Sequence, residues 1–173
     1  MSVFENDQIT IASLPQAEEL KLHPISPKYF YIVLINIIIS YVFLLAIVLT
    51  LRSFADDETL ANVFVYSALV LGISCIINIY LSYLGFKKRK YAIRDKDMTY
   101  SQGYLVNKTL TLPYNRIQHI EIARSFLARK MGLSTLKIYS AGQSGGDLAI
   151  KGLPKDIADK QYAFLTKIIN ERV

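Results

Sequence analysis

The sequence predicts a membrane α-helical hairpin followed by a mainly-β domain, a half-open barrel capped by a C-terminal helix. Three observations support this prediction. Residues 29–86 contain two long apolar runs without charge. After residue 90 the apolar residues recur with a period of two, which is typical of strands. From Pro154 onward the period becomes helical again, so we expect a final amphipathic helix to cover the sheet.

The first apolar run, residues 29–51, has 23 residues without a charge. A helix of that length extends about 34 Å, enough to cross a hydrocarbon core of about 30 Å. A signal peptide would start earlier, would be shorter and would end at a small-residue cleavage site. The second run, residues 59–86, has 28 uncharged residues. We therefore predict spans at about 29–51 and 62–86, an outside loop at about 52–59, and a cytoplasmic leader at 1–28.

The distribution of charge predicts the orientation of this hairpin. Residues 1–86 contain three cations and seven anions, net −4, and residues 87–173 contain seventeen cations and seven anions, net +10. The connector between the spans is acidic, whereas four consecutive cations follow the second span. Because Lys and Arg concentrate on the cytoplasmic side, both termini are expected in the cytoplasm. This basic collar, which anionic lipid headgroups would attract, consists of Lys87, Lys88, Arg89 and Lys90.

Asn36 and Asn78 are polar residues inside the two spans, at comparable depth from the cytoplasmic end. A structural role predicts an interhelical hydrogen bond, worth about 1 kcal/mol, that registers the hairpin or pairs two protomers. A functional role would place them on a substrate or ion path. A pump or proton relay would usually require an ionisable residue. Neither span contains Asp, Glu, Lys, Arg or His, so the structural role is favoured.

Residues 87–173 are predicted to form one cytoplasmic domain of short antiparallel strands. A hairpin is expected around Gly103, with Val106, Leu110 and Leu112 on one buried face. A short helix or turn at 126–131 is expected to end at Gly132. The strands are predicted at residues 91–93, 98–104, 106–112, 116–123, 136–139 and 148–151, with a hairpin loop at 142–147.

The last segment reads as an amphipathic helix from Pro154 to about Glu171. Asp156 near its start and Arg172 near its end suit the helix dipole. Its predicted apolar face consists of Ile157, Ala158, Tyr162, Leu165, Ile168 and Ile169.

The composition argues against several function classes. The single cysteine, Cys75, allows no intrachain disulfide, and the domain's lone His119 with no Cys argues against zinc. No catalytic residue or cofactor site is expected, because the sequence lacks a nucleophile motif, a metal cluster and a Walker lysine motif. Nucleic-acid binding is disfavoured, since the anionic leaflet accounts for the same basic charge.

Two stretches of the domain carry a family resemblance. Together with the segment 25–29, they make the chain from about residue 22 resemble the bacterial PH-like domain proteins of the YdbS type. The resemblance implies two helices and then a PH-like barrel, at the bacterial inner membrane. It implies little about activity. The stretches are Leu112-Pro113-Tyr114-Asn115-Arg116-Ile117-Gln118-His119-Ile120 and Phe126-Leu127-Ala128-Arg129-Lys130-Met131-Gly132-Leu133-Ser134-Thr135-Leu136.

The resemblance also singles out candidate interaction residues. Arg116, Gln118 and Arg129 either contact a partner or ligand or satisfy loop carbonyls within the fold, and both readings stay open. Pro113 and Gly132 are expected to be structural.

The preferred hypothesis is a non-catalytic, membrane-anchored module for protein–protein assembly. Its partner would be a second copy or, as the resemblance implies, a larger multi-domain relative, because such relatives in that family are often encoded beside a short one. The alternatives are a sensor of anionic lipid or peptide, and an accessory subunit of a transporter or membrane protease.

Overall fold

A computed structural model describes residues 21–140 and 148–171. Two long helices, α1 (Lys28–Ser53) and α2 (Glu58–Lys87), precede the β domain. A four-stranded antiparallel sheet contains β1 (His23–Pro24), β2 (Lys90–Ile93), β3 (Asp97–Gln102) and β4 (Lys108–Pro113). A 3-10 turn at Tyr114–Arg116 leads to a three-stranded antiparallel sheet of β5 (Ile117–Ala123), β6 (Leu133–Ser140) and β7 (Leu148–Pro154). The short helix α3 (Phe126–Lys130) joins β5 to β6, and α4 (Lys155–Asn170) follows β7.

The hairpin helices have 26 and 30 residues, or about 39 and 45 Å at the helical rise. Both are long and apolar enough to cross a membrane, by length and composition. Their apolar side chains point outward, as for Phe43 (67% exposed) and Val70 (65% exposed). Asp57 caps α2, because its carboxylate accepts a hydrogen bond from the Leu60 N–H at 3.1 Å.

The predicted fold class is confirmed. Two apolar helices lead into antiparallel sheets of the PH-like kind, and a C-terminal helix packs against them. In the described residues the strands form two sheets with orders β1-β2-β3-β4 and β5-β6-β7, rather than one closed barrel. The helix α4 lies against β5, β6 and β7.

The core lies between the two sheets and α4. The side chains of Leu136, Ile138 and Ile150 on the three-stranded sheet are fully buried, as is Met98 on β3. The helix α4 buries Ala158, Gln161 and Leu165, which are spaced three and four residues apart on one face. The predicted apolar face was wrong at Ile157 and Tyr162, which flank this stripe and are 39% and 38% exposed.

The predicted buried face of the β3–β4 hairpin was also wrong at two positions. Gly103 has a φ of +103° and ends β3, and β4 begins only at Lys108. Val106 therefore lies in the connecting loop, where it is 66% exposed. Leu110 lies on β4, at the edge of its sheet, and is 40% exposed, whereas Leu112 is buried as predicted.

The segment before α1 contributes a strand that the sequence analysis did not predict. His23 pairs with Tyr91 and Pro24 with Lys90, so β1 extends the four-stranded sheet. Ile25 is 3% exposed and belongs to the core. Most of the predicted leader, residues 1–20, and the predicted hairpin loop at 142–147 lie outside the described residues.

Candidate interaction surfaces

The basic collar forms the joint between the hairpin and the β domain. The helix α2 ends at Lys87 and β2 begins at Lys90, so only Lys88 and Arg89 separate them. Lys87, Lys88 and Lys90 are exposed, whereas Arg89 is half-buried. Three of the four cations therefore remain available to solvent or to lipid headgroups at the end of the apolar helix.

Aromatic rings at the end of the hairpin next to the β domain contact two of these cations. The Lys87 Nζ lies 4.6 Å from the ring centroid of Tyr83 on the same helix. The Arg89 guanidinium lies 5.5 Å from the ring centroid of Tyr29 on α1. Cation–π contacts of this kind contribute about 0.5–1 kcal/mol at exposed sites. The collar thus also connects the two helices.

The β domain packs directly against α1, so the two are joined by contacts as well as by the chain. The Ser26 N–H donates to the Gly152 carbonyl at 3.0 Å. Tyr29 lies so close to Gly152 that a Cβ there would come within 2.6 Å of its side chain. Farther along α1, Ile32 is buried in a cluster with Ala128 and Leu133. One face of the first turns of α1 is therefore part of the domain's packing.

The two asparagines do not hydrogen-bond to each other. The Asn36 side-chain amide donates to the Ile32 carbonyl at 2.9 Å, within α1. The Asn78 side-chain oxygen accepts a hydrogen bond from Ser82 at 3.3 Å, within α2. The polar contact between the helices is instead made by Ser74, whose hydroxyl donates to the Tyr41 hydroxyl at 3.4 Å.

The family-motif residues lie at different ends of β5. Arg116 and Gln118 are exposed at its start, while Arg129 is exposed on α3, which follows its end. The five residue-to-residue steps from Gln118 to Ala123 span about 17 Å in a strand, so the fold does not gather these side chains into one site. Pro113 ends β4, and Gly132 has a φ of +67° after α3. Pro113 and Gly132 therefore lie where one secondary-structure element ends and the next begins.

An open cleft lies between the free edges of the two sheets. The strand β4 is one edge of the four-stranded sheet, and β7 is one edge of the three-stranded sheet. The cleft between them has a volume of about 700 Å³. Exposed Lys108 on β4 and exposed Lys151 on β7 make its rim basic. Its lining residues are Tyr100, Gln102, Asn107, Lys108, Thr109, Leu110, Leu148, Ala149 and Lys151.

A polar cluster covers the outer face of β5 and β6. The Tyr139 hydroxyl donates to the Glu121 carboxylate at 3.0 Å, and the Lys137 ammonium lies 3.4 Å from it. The tyrosine hydrogen bond, followed by the lysine, holds the pKa of Glu121 below its ordinary value. His119 stacks on Tyr139, with the ring centroids 5.6 Å apart. The four side chains thus contact one another on the outer face of the sheet.

Tyr114 marks the end of the domain opposite the collar. It is 1% exposed, and its hydroxyl donates to the Arg94 carbonyl at 2.6 Å. Burial, with added repulsion from Asp97 and Asp95, raises the pKa of Tyr114 to about 12.

The sequence model of the bacterial PH domain family matches residues 10–172. The chain belongs to the bacterial PH domain family. A search of curated proteins and a search of solved structures found no match. PH domains are generally non-catalytic and often bind lipids or proteins, so the family predicts a protein-interaction or lipid-binding module. Within the described part of this bacterial PH domain protein, no three His, Cys, Asp or Glu side chains cluster as a metal site would require.

No pattern in the sequence predicts the edge cleft of this PH domain. Its lining residues come from β3, β4, β7 and the loop before β4, up to about fifty residues apart along the chain, and no local pattern links them. The strand signals indicated where β4 and β7 lie. The order of strands within each sheet, which decides that both are edges, is set by tertiary packing.

Proposed function

We propose that this protein is a non-catalytic, membrane-anchored PH module that assembles with another protein at the cytoplasmic face of the bacterial inner membrane. The hairpin spans the membrane with both termini in the cytoplasm. The partner is a second copy of the chain or a larger multi-domain relative. The single observation that carries this proposal is the open cleft between the unpaired edges of β4 and β7.

The cleft suits an extended protein segment. Unpaired strand edges present rows of free N–H and C=O groups, and added strands bind to such edges in many peptide complexes. Lys108 and Lys151 at the rim favour an acidic segment. The described surface of β4 is exposed at four of its six positions, so the edge is accessible.

The anchoring is supported by charge and packing. The connector of the hairpin is acidic, and the exposed cations of the collar follow α2, a distribution that favours a cytoplasmic domain. The contacts of α1 with Gly152, Ala128 and Leu133 hold the domain against the hairpin. A binding surface fixed in this way would face partners in the plane of the membrane.

Site-specific photo-crosslinking in native membranes tests the assembly. Cys75 is replaced by Ala, and a photo-crosslinker is attached to a cysteine introduced by Leu110→Cys on the cleft edge. Ile157→Cys on α4 is the matched control, because the two side chains are 40% and 39% exposed. We expect an adduct from position 110 and not from 157, and its mass distinguishes a second copy from a larger partner. A strictly monomeric protein in mild detergent, with no adduct from position 110, would contradict the proposal.

Charge reversal tests the basic rim. The double variant Lys108→Glu with Lys151→Glu should abolish the complex seen by light scattering in mild detergent. Lys155→Glu with Lys160→Glu, on the exposed face of α4, has the same net charge and should leave the complex intact. Equal loss in both variants would point to a general charge effect rather than to the cleft.

A further inference from the structure

The loop between β3 and β4 is the most exposed apolar segment of the described β domain. Leu105 is 84% exposed, Val106 66% and Tyr104 46%. Three consecutive exposed apolar side chains at a loop tip are unfavourable in water, and such patches commonly mark binding surfaces.

The strand register places this loop on the membrane side of the collar. Lys90 of the collar is paired with Ser101 on β3, and Gln102 is paired with Lys108 on β4. The chain between Gln102 and Lys108 therefore continues beyond the level of Lys90, toward the hairpin. The turn at the other end of β2 and β3, by contrast, lies next to Tyr114.

The loop lies beside the apolar surface of the hairpin. Tyr104 and Leu105 line a cavity of about 340 Å³ together with Val33 of α1 and Asn78 and Leu81 of α2. Leu81 precedes Lys87 by six residues, or about 9 Å along the helix. The loop tip therefore reaches past the cations into the level of the apolar span.

A second exposed ring lies on the short helix α3, which also packs against the hairpin. The helix α3 packs against Ile32 of α1 through Ala128. Phe126 at its start is 61% exposed, and the Lys130 ammonium lies 4.9 Å from its ring centroid. An exposed aromatic ring next to a cation is the combination that favours the interface between headgroups and acyl chains.

We propose that the loop 103–107 inserts Tyr104, Leu105 and Val106 into the cytoplasmic leaflet beside the hairpin. The occupant of this apolar surface is lipid, at the boundary between headgroups and acyl chains. Insertion is driven by apolar burial, with the collar cations adding attraction to anionic headgroups. Insertion of this loop fixes the orientation of the domain and leaves the edge cleft at a constant height above the leaflet.

A single tryptophan tests this inference, because the chain contains none. The full-length Leu105→Trp protein is placed in nanodiscs whose lipids carry bromine at a shallow or a deep acyl position. We expect blue-shifted emission and several-fold stronger quenching by the shallow bromines than in Phe164→Trp. Phe164 is 43% exposed and lies 6.0 Å from the Tyr114 ring, at the end away from the collar. The quenching should persist in zwitterionic lipid, since it depends on apolar insertion.

This inference rests on the proposed function, in which the hairpin crosses the bilayer. The variant Leu69→Trp, near the middle of α2, tests the crossing separately. Its tryptophan should be quenched by the deep bromines. If Leu69→Trp is quenched while Leu105→Trp emits as in water, loop insertion is wrong and the membrane span stands. Blue-shifted emission at position 105 without quenching would mean that protein, such as a second copy, covers the loop, and would also overturn the inference.

Discussion

The two sheets of the β domain differ in what covers them. The three-stranded sheet is covered by α4, and its inner side chains Leu136, Ile138 and Ile150 are fully buried. The four-stranded sheet ends in an edge strand, β4, that is mostly exposed. The difference predicts that side chains under α4 contribute more to stability than the exposed side chains of β4.

The buried groups of the two sheets differ as well. On the four-stranded sheet, buried Thr99 lies 3.0 Å from the Thr111 hydroxyl, and buried Ser101 accepts a hydrogen bond from Thr109 at 3.2 Å. These cross-strand pairs stabilise the sheet modestly and bury little apolar surface. The exposed part of β4, residues 108–111, is therefore held by its ladder to β3 more than by packing, whereas Leu112 packs in the core.

The largest effect on stability is expected when one side chain on each sheet is truncated to alanine. Leu136→Ala should lower the free energy of unfolding by about 2–5 kcal/mol, because it opens a cavity in a closely packed core. Leu110→Ala on β4 should cost less than about 1 kcal/mol, because its side chain is 40% exposed. Urea unfolding of the full chain in detergent micelles, followed by circular dichroism, measures both. Equal losses would mean that the two sheets contribute alike.

Substitution of Gly152 tests the contact between the three-stranded sheet and the hairpin. Its φ is +79°, and a Cβ would meet the Tyr29 side chain at 2.6 Å. Gly152→Ala should therefore cost about 2–4 kcal/mol from backbone strain and overpacking together. Gly132→Ala is the control, since its φ of +67° is similar but no atom lies within 4 Å; it should cost about 1–2 kcal/mol. Thermal unfolding distinguishes them, and similar melting temperatures would argue against the Tyr29 contact.

The raised pKa of Tyr114 predicts that the protein loses stability at alkaline pH. Its pKa is about 12 in the folded protein against about 10 when unfolded. The unfolded chain therefore loses this proton first, so the stabilisation is complete below pH 10 and decreases as the pH rises toward 12. Tyr114→Phe should lower stability by about 1 kcal/mol at neutral pH, because the Arg94 carbonyl loses its donor.

In Tyr114→Phe, stability should decrease less between pH 10 and 12 than in the unsubstituted protein. Urea unfolding midpoints measured across that pH range test this. Burial also raises the pKa of Tyr91 and Tyr100, so part of the decrease should remain. An unchanged pH profile in Tyr114→Phe would contradict the assignment to this residue.

The smallest effect is expected at the ion pair that ties α4 to the three-stranded sheet. Arg124 donates to Asp159 at 2.6 Å and to the Ser134 hydroxyl at 2.9 Å. Asp159→Asn should cost about 0.5 kcal/mol at low salt, and less at high salt, because the pair is partly exposed. Glu171→Gln removes the more exposed pair with Lys167, at 3.6 Å, and should have no measurable effect. A larger loss for Glu171→Gln would reverse this ranking.

Some features of the β domain can be predicted from the local sequence pattern, and others cannot. The end of the short helix α3 before Gly132 was predicted correctly. The burial of Val106 was predicted wrongly, because period-two alternation does not tell where a strand ends and a loop begins. The strand at His23–Pro24 has no apolar period of its own, and its pairing with β2 is a tertiary contact.

By itself, the sequence determined two apolar helices, the basic collar between them and the domain, the mainly-β character of that domain and its amphipathic last helix. These features follow from periodicity and charge along consecutive residues, which act locally. Only the tertiary structure decided which strands are edges, that β4 and β7 face one cleft, and that the loop 103–107 lies beside α2. Those relations join residues far apart along the chain, and packing of the two sheets against each other and against α1 brings them together.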